Sequence, residues 1–179
     1  PAIPPGTALQ LSNGTTVRYA QLFKCEQVLR SDCNRGVSGI DGSTSTAAGA
    51  ACVGEGMTVL ITGDMSFSYD VNGLSSTYLS PRFKIIVMCN GGGGIFRFIK
   101  PTSDLPELET CFEIHRDISV EKYADLFGLR YFELNDEKSA AEVLSLFFAE
   151  KDRPAILAVH TPNVYNAEVL RGYFRRSRQ

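Results

Sequence analysis

Three segments of strand length are apolar almost without a break: residues 57–62 (MTVLIT), Phe83–Cys89 (FKIIVMC) and Ala155–His160 (AILAVH). A strand with one wet face alternates apolar and polar side chains; a strand covered on both faces need not. Such runs demand helices above and below the sheet, and the stretches between them supply amphipathic candidates. Strands alternating with helices in this way imply parallel pairing with crossover connections. The predicted class is α/β, a three-layer parallel sheet with helices on both faces.

Weaker signals complete the pattern. Ala8–Leu11 reads as a short strand, residues 15–23 as the helix after it, and residues 28–29 as part of a second strand. Residues 41–53 are rich in Ala, Ser and Thr and open with Asp41, a residue type that caps helices. A helical region is predicted over 64–79. Residues 97–117 contain proline, show no period and form the longest predicted loop, and the order of residues 91–117 is expected to depend on contacts from outside the chain; long loops in compact domains are often functional. Ser119 caps a helix over 119–127, with Lys122 where a full capping box has Glu or Gln, and Gly128 ends it. Residues 131–134 read as a strand, 137–149 as a helix and 163–175 as the last helix. No repeat or low-complexity segment is present.

Composition bounds the function classes. The chain has 179 residues, enough for one domain with a sizeable core. With 18 Lys and Arg against 20 Asp and Glu, the net charge of −2 is no footprint for nucleic acid. The arginines at 171, 175, 176 and 178 read as a solvated helix end. No apolar run approaches a membrane span. Five cysteines without CxxC spacing read as reduced thiols of a cytoplasmic protein. The proline-rich residues 1–6, without an initiator Met, read as a linker remnant, and residues 7–179 as a domain of a longer enzyme.

In open α/β sheets ligands bind at the carboxyl ends of strands, which directs attention to residues 34–42, 63–66 and 90–96. Gly63-Asp64-Met65-Ser66 leaves a buried strand and opens a helix. Gly63 allows a tight turn, Asp64 offers a hard carboxylate, and amides at the helix start favour phosphate. Asn90 ends the next predicted strand 26 residues later and is followed by four glycines. Carboxylate, amide oxygen, backbone carbonyl and ligand phosphate make an all-oxygen set suited to Mg²⁺. The glycines allow the backbone to approach a bulky ligand.

Gly63-Asp64 followed by Asn90 resembles the metal–diphosphate motif of thiamine-diphosphate (ThDP) enzymes. Asn34-Arg35-Gly36-Val37-Ser38-Gly39-Ile40-Asp41-Gly42, Asp64-Met65-Ser66-Phe67-Ser68-Tyr69-Asp70-Val71-Asn72-Gly73-Leu74 and Asn90-Gly91-Gly92-Gly93-Gly94-Ile95-Phe96 resemble signatures of one branch. That branch is the 2-succinyl-5-enolpyruvyl-6-hydroxy-3-cyclohexene-1-carboxylate (SEPHCHC) synthases of menaquinone biosynthesis, the MenD family. Essentially the whole chain is similar to their C-terminal, diphosphate-binding domain, with its ThDP-binding fold.

The resemblance implies roles. Asp64, the Asn90 side chain and the Gly92 carbonyl would hold Mg²⁺ or Mn²⁺. Gly39, Gly63, Met65, Ser66 and Gly93 would line the cofactor. Ile40 would wedge between its rings, Ile95 and Phe96 would wall the reacting centre, and Arg18 and Arg35 would bind substrate carboxylates. The implied reaction decarboxylates 2-oxoglutarate and adds the succinyl unit to isochorismate. The implied partner is the N-terminal pyrimidine-binding domain of another subunit, in a homo-oligomer, and that domain carries an essential Glu. The chain alone is expected to fold, bind ThDP weakly and be inactive. Three positions depart from the family pattern: Cys89 replaces the first Asn of a usual pair, Met65 is large, and Gly14 stands where Ser is common.

Simpler readings exist for the same residues. Asp64 could only cap a helix, Arg18 and Arg35 could be surface charges, and Ile40, Ile95 and Phe96 could be core. His115 and His160 have no ligand spacing around them and read as structural or surface residues. No GxSxG and no Walker A motif occurs. The alternatives to this assignment are a domain of another ThDP enzyme, such as an acetolactate-synthase-like or decarboxylase member, and a non-catalytic phosphate-binding module.

Overall fold

The computed structural model describes residues 2–176; Pro1 and Arg178, part of the linker and basic-terminus expectations, lie outside the described residues. Six strands form one parallel sheet: β1 (Ala8–Leu11), β2 (Arg30–Cys33), β3 (Thr58–Gly63), β4 (Phe83–Cys89), β5 (Arg130–Leu134) and β6 (Ala155–His160). Their spatial order is β2-β1-β3-β4-β6-β5. The three continuous apolar runs are the three neighbouring strands β3, β4 and β6, as burial on both faces requires.

The side chains of β4 show why. Phe83, Ile85 and Val87 face one core with Leu60, Ile156 and the helices α2 (Ser43–Val53), α3 (Asp64–Tyr69) and α4 (Val120–Phe127). Ile86 faces the other, with Leu9, Val59, Leu157, Val17 of α1 (Thr15–Ala20) and Phe147 of α5 (Ala140–Ala149). Ala47, Ala48 and Ala51 let α2 lie close against the sheet. Lys84 is fully buried on the second face, where its Nζ donates to the Glu150 carbonyl (2.7 Å) just beyond α5. Within the stretch read as a linker, Ile3 packs on this second core and Thr7 Oγ1 donates to the Pro4 carbonyl.

Several boundaries differ from expectation. Strand β2 begins at Arg30, immediately after residues 28–29, which lie outside it; its polar, exposed edge position carries no hydrophobic signal. Helix α1 stops at Ala20 rather than 23. Asp41 does not cap α2: Gly42, at φ 76°, precedes the helix without a side-chain cap. The 64–79 region breaks at Asp70 into α3 and a tight turn at Val71–Ser75, because both Asp70 carboxylate oxygens are taken by the amide and hydroxyl of Ser45. Helix α5 is preceded by a separate tight turn at Glu137–Ser139. Ser119 does cap α4, accepting from the Lys122 amide, and Gly128 ends it at φ 68°. The last helix, α6, is Asn163–Arg176. The 97–117 loop holds short helical turns at Thr102–Asp104 and Leu108–Glu113, after one at Gly94–Arg97.

Candidate ThDP site

β2 and β3 lie on opposite sides of β1, so the winding reverses between β1 and β3. At such a reversal the crossovers diverge and leave a crevice at the carboxyl edge. A cleft of about 380 Å³ opens there, the size of a small-ligand site. One rim comes from the β1 and β2 exits and carries Asn13, Arg18, Arg35 and Ile40; the other comes from the β3 and β4 exits and carries Gly63, Asp64, Asn90 and the glycines.

Asp64 joins two strand exits. Its carboxylate is 3% exposed. Oδ1 accepts the Met65 amide (2.7 Å); Oδ2 accepts the amides of Asn90 (3.0 Å) and Gly91 (2.7 Å) on the neighbouring strand. A simple cap would serve its own helix only. Burial pushes the Asp64 carboxyl above its usual range, against the pull of surrounding amides. No described Lys, Arg or His forms an ion pair with it.

The glycine run is dictated by the chain itself. A Cβ on Gly92 would lie 2.2 Å from the Glu113 carbonyl oxygen, one on Gly93 2.6 Å from that of Phe112, and one on Gly94 2.3 Å from Asn163 Oδ1. Residues 112–115 thus lie directly on the run, and Gly93 N–H donates to the Glu113 carbonyl (2.8 Å). Gly92 and Gly93 make room for the chain's own backbone, and Gly91 and Gly94 for the side chains of His115 and Asn163, while Gly92, Gly93 and Gly94 also line the cleft. Gly63 is the reverse. Its φ of −84° is open to any residue, so no tight turn requires it, and a Cβ would meet nothing within 4 Å. Its missing side chain leaves room in the cleft.

Across the cleft, the Ile40 carbonyl accepts from Ser66 Oγ, which ties the two rims together. Ile40 itself is 37% exposed and lines the cleft. Phe96 lines the cleft and packs on Phe112 with ring centroids 5.4 Å apart.

The model of the "Thiamine pyrophosphate enzyme, C-terminal TPP binding domain" family matches residues 13–159, from the β1 exit to the end of β6. The chain belongs to this family of TPP-binding domains. Among its curated relatives, proteins named 2-succinyl-5-enolpyruvyl-6-hydroxy-3-cyclohexene-1-carboxylate synthase are 47% identical in Porphyromonas gingivalis (96% of this chain, 30% of the relative), 44% in Flavobacterium johnsoniae (97% and 31%) and 35% in Bacteroides fragilis (98% and 32%). The chain spans about a third of the length of these relatives.

The TPP-binding domain brings nearly every predicted site residue to one cleft: Arg18, Arg35, Ile40, Gly63, Asp64, Met65, Ser66, Asn90, Gly92, Gly93, Ile95 and Phe96 all line it. Gly39 does not; its carbonyl accepts from Asn13 Nδ2 (2.6 Å). The helix start offers less than expected, because α3 has six residues and the Met65 amide is already on Asp64.

The donor chemistry suits a hard cation beside a diphosphate. Asp64 Oδ1, Asn90 Oδ1 and the Gly92 carbonyl each accept one amide, from Met65, Gly92 and Gly94 respectively, and each keeps a second lone pair. A buried carboxylate lacking a positive partner and an unfilled space at Gly63 both fit such a ligand. No cluster of three His, Cys, Asp or Glu offers another metal site among the described residues, and none of their helices is long and apolar enough to cross a membrane.

Sequence reading missed Asn13, Glu113 and Arg97. Asn13 leaves β1, whose exit joins the cleft only because β1 sits beside β3. Glu113 is 5% exposed at the cleft and is gripped by Arg97; opposite charges at both ends of the long loop were its only signal.

Proposed function

We propose that this chain is the diphosphate-binding domain of a SEPHCHC synthase, an enzyme that decarboxylates 2-oxoglutarate and adds the succinyl unit to isochorismate. The observation that carries the reading is the placement of two exposed arginines, Arg18 and Arg35, on the rim facing the buried Asp64. Both proposed substrates are anions, and guanidinium forks pair with carboxylates through two parallel hydrogen bonds. The names of the curated relatives support the same assignment.

When bound, ThDP supplies the electron sink for decarboxylation and carbon–carbon bond formation. Asp64, the Asn90 side chain and the Gly92 carbonyl would hold Mg²⁺, whose charge would offset that of the buried Asp64 carboxylate. Gly63, Met65, Ser66 and Gly93 line the diphosphate. Ile40 presents its exposed apolar surface to the cofactor rings as a wedge. Ile95 and Phe96 exclude water from the reacting centre, where a dry wall strengthens each arginine–carboxylate contact. Arg18 and Arg35 hold the substrate carboxylates. The group acting on the aminopyrimidine ring comes from the pyrimidine-binding domain of another subunit, in a homo-oligomer.

The deciding experiment assays the full-length protein with 2-oxoglutarate and isochorismate, with Mg²⁺ and ThDP. SEPHCHC formation is the expected result; decarboxylation without transfer to isochorismate assigns the domain to another ThDP enzyme. Calorimetry on the isolated chain is expected to find weak Mg²⁺-dependent ThDP binding and no turnover.

A further inference from the structure

We propose that Asn13 is a positioning residue that holds Arg35 and the Ile40 turn as one unit. Its side chain is 4% exposed, at the exit of β1. Oδ1 accepts from Arg35 Nη1 (2.8 Å) and from Cys33 Sγ (3.5 Å). Nδ2 donates to the carbonyls of Asn34 (2.7 Å) and Gly39 (2.6 Å). All four hydrogen-bonding directions of the amide are therefore in use, and every partner lies at the end of β2 or on the segment leaving it.

That segment needs an external brace. It passes through Ser38, a non-glycine residue at φ 57°, and Gly42 at φ 76°, and no regular element spans 34–42. Asn34 Nδ2 fastens its far end to Gly42 and Thr46. Asn13 fastens its middle, one residue before Ile40, and the Ile40 carbonyl passes the restraint to Ser66 at the diphosphate end. No other side-chain hydrogen bond or ion pair holds the Arg35 guanidinium among the described residues. A charged fork with one fixed nitrogen keeps its remaining donors free and aimed. An arginine without that anchor spends binding energy on ordering itself.

The proposal rests on the reading of Arg35 as a substrate-carboxylate residue, and the test separates the two. In the full-length enzyme, Asn13→Ala is expected to raise KM for the anionic substrate about tenfold, the usual cost of losing a hydrogen bond to a charged group. In an Arg35→Ala background the same change is expected to add less than about twofold to KM, because residues acting through one another are not additive. Hydrogen exchange of the Asn13→Ala protein is expected to speed up in 34–41 while β3 and β4 keep their protection. The isosteric Asn13→Asp keeps the acceptor for Arg35, loses both donors and is expected to loosen the same segment, which covers the case in which the alanine variant fails to fold. Unchanged exchange in 34–41, or a KM effect of equal size in both backgrounds, overturns the proposal. If the wild-type enzyme does not turn over the two substrates, the functional reading fails and the exchange experiment alone decides whether Asn13 braces the segment.

Discussion

Arg97 grips the buried carboxylate of Glu113, sixteen positions further along the chain, through two nitrogens, Nε at 2.7 Å and Nη2. Glu109 takes a second contact from Nη2 (3.0 Å), and Arg171 of α6 donates to the Arg97 carbonyl (2.6 Å). The pair closes the base of the excursion between Ile95–Phe96 and the segment that lies on the glycines.

Breaking the pair leaves a buried charge unmatched. Arg97→Ala is expected to lower stability by about 3 kcal/mol, because Glu113 keeps its burial and loses its compensation. The double variant Arg97→Ala/Glu113→Ala is expected to be less destabilised than the sum of the two single changes. Urea unfolding of the four proteins provides the cycle; full additivity would show that the contact carries no energy.

Gly63 and Gly92 separate ligand space from chain space. Gly63→Ala is expected to change stability by less than about 0.5 kcal/mol, since no protein atom lies within 4 Å of the added Cβ, while weakening Mg²⁺–ThDP binding under the proposed function. Gly92→Ala is expected to unfold more readily, by about 2 kcal/mol or more, because its φ of 143° and the Glu113 oxygen both exclude a Cβ. Paired melting curves and calorimetry test both; a destabilised Gly63→Ala would refute the assignment of that space.

Lys84 sets a pH slope. Burial lowers its pKa, partly countered by Glu150, so the folded protein loses this proton before the unfolded chain does. Between the depressed folded value and the ordinary 10.5 the unfolded state binds more protons, and stability rises with pH. The contribution is fully present above 10.5 and is lost as pH falls through the folded value. Lys84→Met is expected to remove this slope and to be at least as stable as wild type near neutral pH. Denaturation midpoints of both proteins across the alkaline range measure the difference; parallel curves would count against it.

Burial, reinforced by the nearby Asp64 charge, pushes the Cys89 thiol up to about 12. Thiolate is the reactive form, so iodoacetamide at pH 8 is expected to label the exposed Cys52 and Cys111 while Cys89 stays unmodified until the protein unfolds. Mass spectrometry of digests reads the order.

The architecture was legible where burial leaves a two-sided signature. β3, β4 and β6 announce themselves because both faces are covered, and Ser119 with Gly128 brackets α4 through capping chemistry that is local. β2 was displaced in the reading because an edge strand needs no apolar face. The break at Asp70 was invisible because it depends on Ser45, twenty-five residues away. In the site, Asp64 and Asn90 were readable as a spaced pair, whereas Asn13 was not: its importance comes from the order of strands in space, which no local spacing encodes. The glycine run was located, but the atoms that forbid a side chain there belong to residues 112–115 and Asn163, distant in sequence, so that constraint has no local signal.

The reversal of winding between β1 and β3 divides the cleft by chain origin. Residues 13–18 and 34–40 build the rim bearing both arginines, while 63–66 and 90–96 build the rim around Asp64. The side-chain ties between them include Ser66 Oγ to the Ile40 carbonyl and the Gly63 amide to Ser12 Oγ. Under the proposed function, the residues that would select the acid and those that would grip the diphosphate are thus separable. Transplanting the first rim as a cassette, with Asn13 included so that Arg35 arrives already aimed, is the natural route to a different anionic substrate on an unchanged cofactor platform.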